Sequence, residues 1–237
     1  LVELLVVLGI IGLLSSMMFS GLRAGLTAAR RSKCANNLRS LAIATLAFTD
    51  ENRGEFPWGL RSKEGYSSWA WDFVVPEGGR PRPGVLWSGY GVSEVLQCPA
   101  YLGGKANWEK DPYTGYNYNV SYIGKVEGDP GRRTSPALLS EIENSGRTAL
   151  FGDGQFEGGA NKFMRAPKSD RDNDASGSGV RKAGTQGFRH GGKTNVAFCD
   201  GHVEALAKPY QLGGKEGFVS KDCGFLSPDN SLYSLKK

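Results

Sequence analysis

The chain has only two histidines, His190 and His202, and the second stands two residues after Asp200. An imidazole beside a carboxylate can hold a metal or pass a proton. A chain reversal at Asp200-Gly201 would set Asp200 and His202 side by side, with His190 as a third member of such a cluster. The same residues have a plainer reading. Asp-Gly between two alternating apolar runs is turn chemistry, and His190, followed by Gly191-Gly192, has backbone to bond to. No nucleophile elbow, phosphate loop or H-E-x-x-H occurs, so structural roles and no enzymatic activity are expected.

Four cysteines, Cys34, Cys98, Cys199 and Cys223, are spread along the chain without any C-x-x-C spacing, which excludes a thioredoxin-type motif and a zinc ribbon. An even number suits disulfides in an oxidising compartment. Of the three pairings, Cys34–Cys98 would staple the N-terminal part to the rest, and Cys199–Cys223 would tie the C-terminal segment to the region around Asp200. The alternative is four buried free thiols. Asp170, Asp172 and Asp174 alternate inside a polar stretch, 165–187, that has no apolar period. Oxygen ligands at every second residue resemble the start of a calcium loop, but Ala175 and Arg181 stand where an EF-hand has Gly and Glu. Calcium and a merely solvated acidic loop are both open; no other cofactor is expected.

Positioning these residues requires an unusual N-terminal element. Leu1 to Leu22 carries one charge, Glu3, in a run long enough to cross a hydrocarbon core of ~30 Å. No basic region precedes it and no small-x-small cleavage site follows, so it reads as a membrane anchor rather than a signal peptide. A carboxylate in a membrane helix is costly and points to function, unless it sits at the interface. Residues 23–49 lack proline and place Cys34, Leu38, Leu41, Thr45 and Phe48 at spacings of four and three. One continuous helix of roughly 70 Å is therefore expected, apolar all round in its first half and along one stripe in its second. Gly21 and Gly25 have the small-xxx-small spacing that permits close helix packing, and each weakens the helix by ~1 kcal/mol relative to alanine.

The composition becomes informative once it is located. The 237 residues carry a formal charge of +5. Arg23, Arg30, Arg31, Lys33 and Arg39 supply +5 within the helix, and Glu3 is the one acid before them, so residues 50–237 are left with +1. The basic cluster by itself would place the residues after the span in the cytoplasm, and the cysteines argue for the other side. A head of net +1 gives no electrostatic reason to bind nucleic acid. Four of the 34 glycines lie in the helix and the remainder in a loop-rich head.

In that head Trp58, Trp69, Trp71 and Trp87 suggest a small aromatic core or a sugar-stacking face. Alternation over Tyr116–Tyr122, the RTALF run at 147–151, and the segments 195–199 and 202–206 joined at Asp200-Gly201 predict strands, the last two as a hairpin with a type I′ turn. Asn119-Val120-Ser121 is a glycosylation triplet of the kind that also arises by chance. The expected fold is α+β: a helix over 1–49 packed on a globular head, 50–237, with an antiparallel sheet.

LVELLVVLGIIGLLSSMM resembles the N-terminal helix of type IV pilins and type II secretion pseudopilins after removal of their leader by the prepilin peptidase. Glu3 matches the glutamate that in those proteins follows a methylated aromatic residue; the sequence here opens at Leu1. His190, nine residues and then Asp200-Gly201 resembles the H-x9-DG signature of planctomycete-type prepilin-like proteins, as do Cys34-Ala35-Asn36-Asn37-Leu38 and Cys98-Pro99. The loops at 60–95 and 155–187 match nothing in that pattern. The resemblance implies a subunit held in the inner membrane, processed by the prepilin peptidase, and polymerised by the assembly machinery into an extracellular homo-oligomeric filament. Apolar helices would bundle in its core, and Glu3 would compensate the N-terminal amine of a neighbour. It also implies a locally unwound helix segment, which suits Gly21 to Gly25. A pseudopilin of a secretion machine is the second reading, and a membrane-tethered module or enzyme using His190, Asp200 and His202 is the third.

Overall fold

The computed structural model describes residues 2–87, 96–101, 114–129, 133–155, 159, 161–168, 184–211 and 222–236. Asp170, Asp172 and Asp174 lie outside the described residues. Helix α1, Val2–Glu51, is a single unbroken element of 50 residues, two residues longer at its end than the expected boundary. It passes through Gly21 and Gly25 without interruption, and a Cβ at either glycine would meet open space.

The two halves of α1 differ as their composition dictates. From Val2 to Leu26 the large apolar side chains are exposed. This stretch is long and apolar enough to span a membrane, and none of its most apolar window is covered by the rest of the chain. From Cys34 on, Cys34, Asn37, Leu38, Leu41, Ala42, Ala44, Thr45 and Thr49 are buried. Thr45 and Thr49 sit in that apolar stripe because their hydroxyls donate back to the carbonyls of Leu41 and Thr45, at 2.8 and 2.7 Å. The helix stops where Arg53 turns left-handed, at φ 58°, and Gly54 N–H reaches back to Thr49 O at 2.8 Å. These are features of a Schellman cap, with arginine in the place glycine usually takes.

Four short strands follow as an antiparallel meander: β1 Leu60–Lys63, β2 Tyr66–Ala70, β3 Phe73–Pro76 and β4 Arg82–Pro83. The main sheet is built from β5 Asn117–Asn119, β6 Ala149–Gly152, β7 Phe163–Met164, β9 Thr194–Phe198 and β10 Val203–Leu206, in the order β10-β9-β6-β5-β7. Its pairings are antiparallel except β5 with β7, which is parallel. Strand β8, Gln186–Gly187, pairs with β11, Cys223–Gly224. The alternation over 116–122 thus yields a strand of only three residues, because the chain turns at Ile123 and Gly124, whose N–H groups both bond Asn119 O.

Helix α1 lies against β6, β9 and β10, and the main core fills that interface. Trp71, Tyr118 and Phe151 meet there with ring centroids 5.1 to 5.9 Å apart, and the Tyr118 hydroxyl donates to Pro57 O at 3.0 Å. Trp71 and Trp87 are buried, whereas Trp69 is half-buried beneath the Lys63 ammonium, 3.4 Å from its ring centre. Two charge pairs are also buried in the head, Lys162 with Asp72 at 3.2 Å and Arg165 with Asp129. Asn119 is buried too, its amide donating to Ala149 O and Tyr233 O at 2.8 and 2.9 Å. Its triplet is therefore a packing feature, with no side chain available for a glycan.

The hairpin β9–β10 has the expected segments, with Val203 opposite Ala197, but not the expected turn. Gly201 alone has positive φ, at 88°. Gly201 N–H bonds Phe198 O, and Phe198 N–H bonds His202 O, both at 2.9 Å. The loop therefore spans Cys199, Asp200 and Gly201, and the left-handed glycine closes it in the manner of a bulged three-residue hairpin.

Candidate functional site

Four side chains from four separate segments converge under α1. Cys34 projects from the buried stripe of the helix. Cys98 is set by a loop in which its N–H bonds Thr114 O at 2.9 Å and its carbonyl accepts from Tyr101 N–H at 3.0 Å. Asp153 follows the last residue of β6, and His190 precedes β9. His190 is fixed by a two-residue reversal in which Gly191 and Gly192 have φ of 65° and 78°, and its N–H bonds Lys193 O at 3.1 Å. The paired positive φ values expected at Asp200-Gly201 thus occur here, where two glycines meet the requirement directly.

All four side chains are buried, and their ligand-type atoms lie within 4.8 Å of one another. Cys34 Sγ donates to Asp153 Oδ1 at 2.9 Å. His190 Nε2 lies 3.2 Å from Asp153 Oδ2 and 3.5 Å from Cys98 Sγ. The backbone N–H of Asn195 donates to Asp153 Oδ2 at 2.7 Å. Arg189 closes the group from one side: Nε points at Cys98 Sγ and one terminal nitrogen at Asp153 Oδ1, each at 3.4 Å. The guanidinium also donates to Gly154 O at 3.1 Å and to Gly115 O, and it lies 5.4 Å from the Tyr101 ring centre.

The electrostatics follow from these contacts. Burial raises the Cys34 thiol strongly, so Cys34 is the proton donor. That thiol, with His190 and Arg189, holds Cys98 well below the usual thiol range in spite of burial. Burial alone would raise Asp153; the Arg189 charge and the His190 hydrogen bond outweigh it and keep the carboxyl low. Burial works in the opposite sense on His190, and its bonds to Asp153 and Cys98 push it up to about 9. These directions favour charge on Cys98 and Asp153 matched by charge on His190 and Arg189, the pairing that burial requires.

The structure separates the histidines that the sequence groups. His190 and the pair Asp200–His202 stand at opposite ends of β9. His202 Nδ1 meets Asp200 Oδ1 at 2.6 Å on the exposed hairpin loop, and its ring stacks on Phe198 with centroids 4.5 Å apart. A joint site of His190, Asp200 and His202 is therefore not formed. In this structure all four cysteines are free thiols, and neither of the two expected disulfides is formed. Cys34 and Cys98 do come together, and Cys34 donates its thiol proton to Asp153. Cys199 is buried in the main core at the end of β9, whereas Cys223 is held in the β8–β11 pair opposite Gly187. Glu3, like the apolar residues around it, is exposed on α1.

Asp153 and Arg189 escape a reading of the sequence. Gly152-Asp153-Gly154 looks like the solvated end of a strand, yet those glycines mark tight packing: a Cβ at Gly154 would lie 2.0 Å from Asn161 O. An acid between two such glycines is the one local sign of a buried carboxylate.

Comparison of the chain with protein-family models, with curated proteins and with solved structures finds no match.

Proposed function

We propose that the chain is a structural subunit of a type IV pilus-like filament, anchored in a membrane before assembly. The observation that carries this reading is the division of α1: one half is packed on the head, and the other is apolar and uncovered by its own chain. Such a surface is stable only in a bilayer or against other copies. Helix–helix association in a filament core meets that need, and the open surface at Gly21 and Gly25 permits close approach. A carboxylate on this surface, Glu3, fits pairing with a cationic group on a neighbour better than solitary insertion in lipid. The resemblance of the N-terminal residues to pilins points the same way.

The test is whether cell-surface filaments contain the chain along their length, by immunogold electron microscopy of sheared material. Glu3→Leu is expected to leave the protein in the membrane and remove it from filaments. Normal incorporation of that variant would exclude charge pairing by Glu3, and filaments without the chain would exclude the subunit role.

A further inference from the structure

We propose that Cys34, Cys98, Asp153 and His190 form a structural zinc site that ties α1 to the head. Two sulfurs, an imidazole nitrogen and a carboxylate oxygen are a donor set suited to Zn(II), which structural sites bind with four protein ligands in a closed tetrahedron. Zinc–ligand bonds of about 2.0–2.3 Å place neighbouring ligand atoms roughly 3.3–3.8 Å apart around one ion. Cys34 Sγ lies 2.9 Å from Asp153 Oδ1, just below that range, Cys98 Sγ lies 3.5 Å from His190 Nε2, within it, and the four ligand atoms all lie within 4.8 Å of one another. Small side-chain movements would admit the ion.

The surroundings suit the bound state. Asp153 can ligate through Oδ1 while Oδ2 keeps the Asn195 N–H, which fixes the carboxylate's orientation. Arg189 directs N–H groups at the Cys98 sulfur and at Asp153. With both cysteines as thiolates, Asp153 ionised and His190 neutral, Zn(II) and the Arg189 guanidinium balance the charge to zero. That balance is what a buried site requires. Binding displaces the thiol and imidazolium protons to solvent, with no change of oxidation state. The four ligands come from α1, the loop at Cys98, the end of β6 and the turn before β9, so the ion would cross-link segments that no covalent bond joins. The site is independent of what the exposed half of α1 does.

The full chain in detergent, reduced, stripped with chelator, exposed to Zn(II) and desalted, is expected to retain one zinc per chain by elemental mass spectrometry. Its melting temperature should rise with zinc. Cobalt(II) in place of zinc should give a thiolate-to-metal charge-transfer band. Cys98→Ser and His190→Ala should lose the metal with their far-ultraviolet helix signal retained, while Cys199→Ser, outside the cluster, keeps it. Absence of both stoichiometric zinc and the cobalt band in the wild-type chain would overturn the proposal. So would a Cys34–Cys98 disulfide in peptide maps of protein isolated from the cell envelope.

Discussion

Cys34 on the helix donates its thiol proton to Asp153 Oδ1 at the end of β6, 2.9 Å away and 119 positions later in the chain. That contact sits beneath the point where α1 leaves the head, so the polar cluster around Asp153 adds a link between the two. Helix and sheet also share an apolar interface, which positions the cluster but does not satisfy its charges.

Replacing Asp153 with alanine removes the carboxylate that pairs with the Arg189 guanidinium and the acceptor for Cys34, His190 and Asn195. Breaking a buried charge pair by deleting one partner costs about 3–5 kcal/mol. Denaturant unfolding of the detergent-solubilised chain should show a loss of that size for Asp153→Ala. A change below about 1 kcal/mol would mean that the cluster contributes little to holding helix and head together.

The exposed Asp200–His202 pair provides a contrast in pH dependence. Slight burial opposes ionisation of Asp200, but the His202 N–H and imidazole outweigh it and lower the carboxyl. A carboxylate depressed in the folded state adds stability that is present above its unfolded value and is lost as pH falls through its folded value. Asp200→Asn should therefore flatten the acid limb of the stability curve below about pH 4. Because the pair is solvent-screened, the effect should stay under about 1 kcal/mol. An unaltered acid limb would show that the loop is held by its backbone bonds alone.

Arg53 is the only residue other than glycine with positive φ among the described residues. A left-handed conformation costs an L-residue about 1 kcal/mol or more, and Arg53 is exposed on the helix cap. Arg53→Gly should raise the unfolding free energy by roughly 0.5–1 kcal/mol. A loss of stability instead would show that the arginine side chain contributes more than its backbone strain costs.

At Gly154 an added methyl group would lie 2.0 Å from Asn161 O and 2.8 Å from Asn117 Cβ. The first neighbour is backbone and cannot rotate away, so Gly154→Ala should destabilise by about 1–3 kcal/mol or more. The displacement would reach the adjacent Arg189 guanidinium through its bond to Gly154 O. Gly21→Ala, which meets open space, should instead stabilise the isolated helix by up to ~1 kcal/mol. Thermal melts of the two variants against wild type separate these expectations by sign.

Much of the architecture is legible locally. The stripe of Cys34, Leu38, Leu41, Thr45 and Phe48 announces which face of the helix packs, because a 3.6-residue period needs only neighbouring positions to be read. The Asp200-Gly201 signal finds the hairpin, although the preference of Asp-Gly for positive φ at both positions yields to a longer loop that keeps Phe198 paired with His202. The strand at Asn117–Asn119 is shorter than its alternation suggests, since Asn119 turns the chain with its own carbonyl. The glycine-rich reversal at Gly191-Gly192 is equally plain in the sequence but gives no hint that it aims His190 into the core.

The sequence by itself determined a long helix, apolar throughout and then apolar on one stripe, ahead of a glycine-rich α+β head of almost no net charge. These are properties of periodicity and composition, which each segment carries alone. Only the tertiary structure decided that Cys34, Cys98, Asp153, Arg189 and His190 share one buried space, while His202 and Asp200 remain outside it. Their meeting depends on how α1, the Cys98 loop, β6 and the turn before β9 close on one another. A charge becomes strongly coupled to its partners only after that packing has removed the water between them.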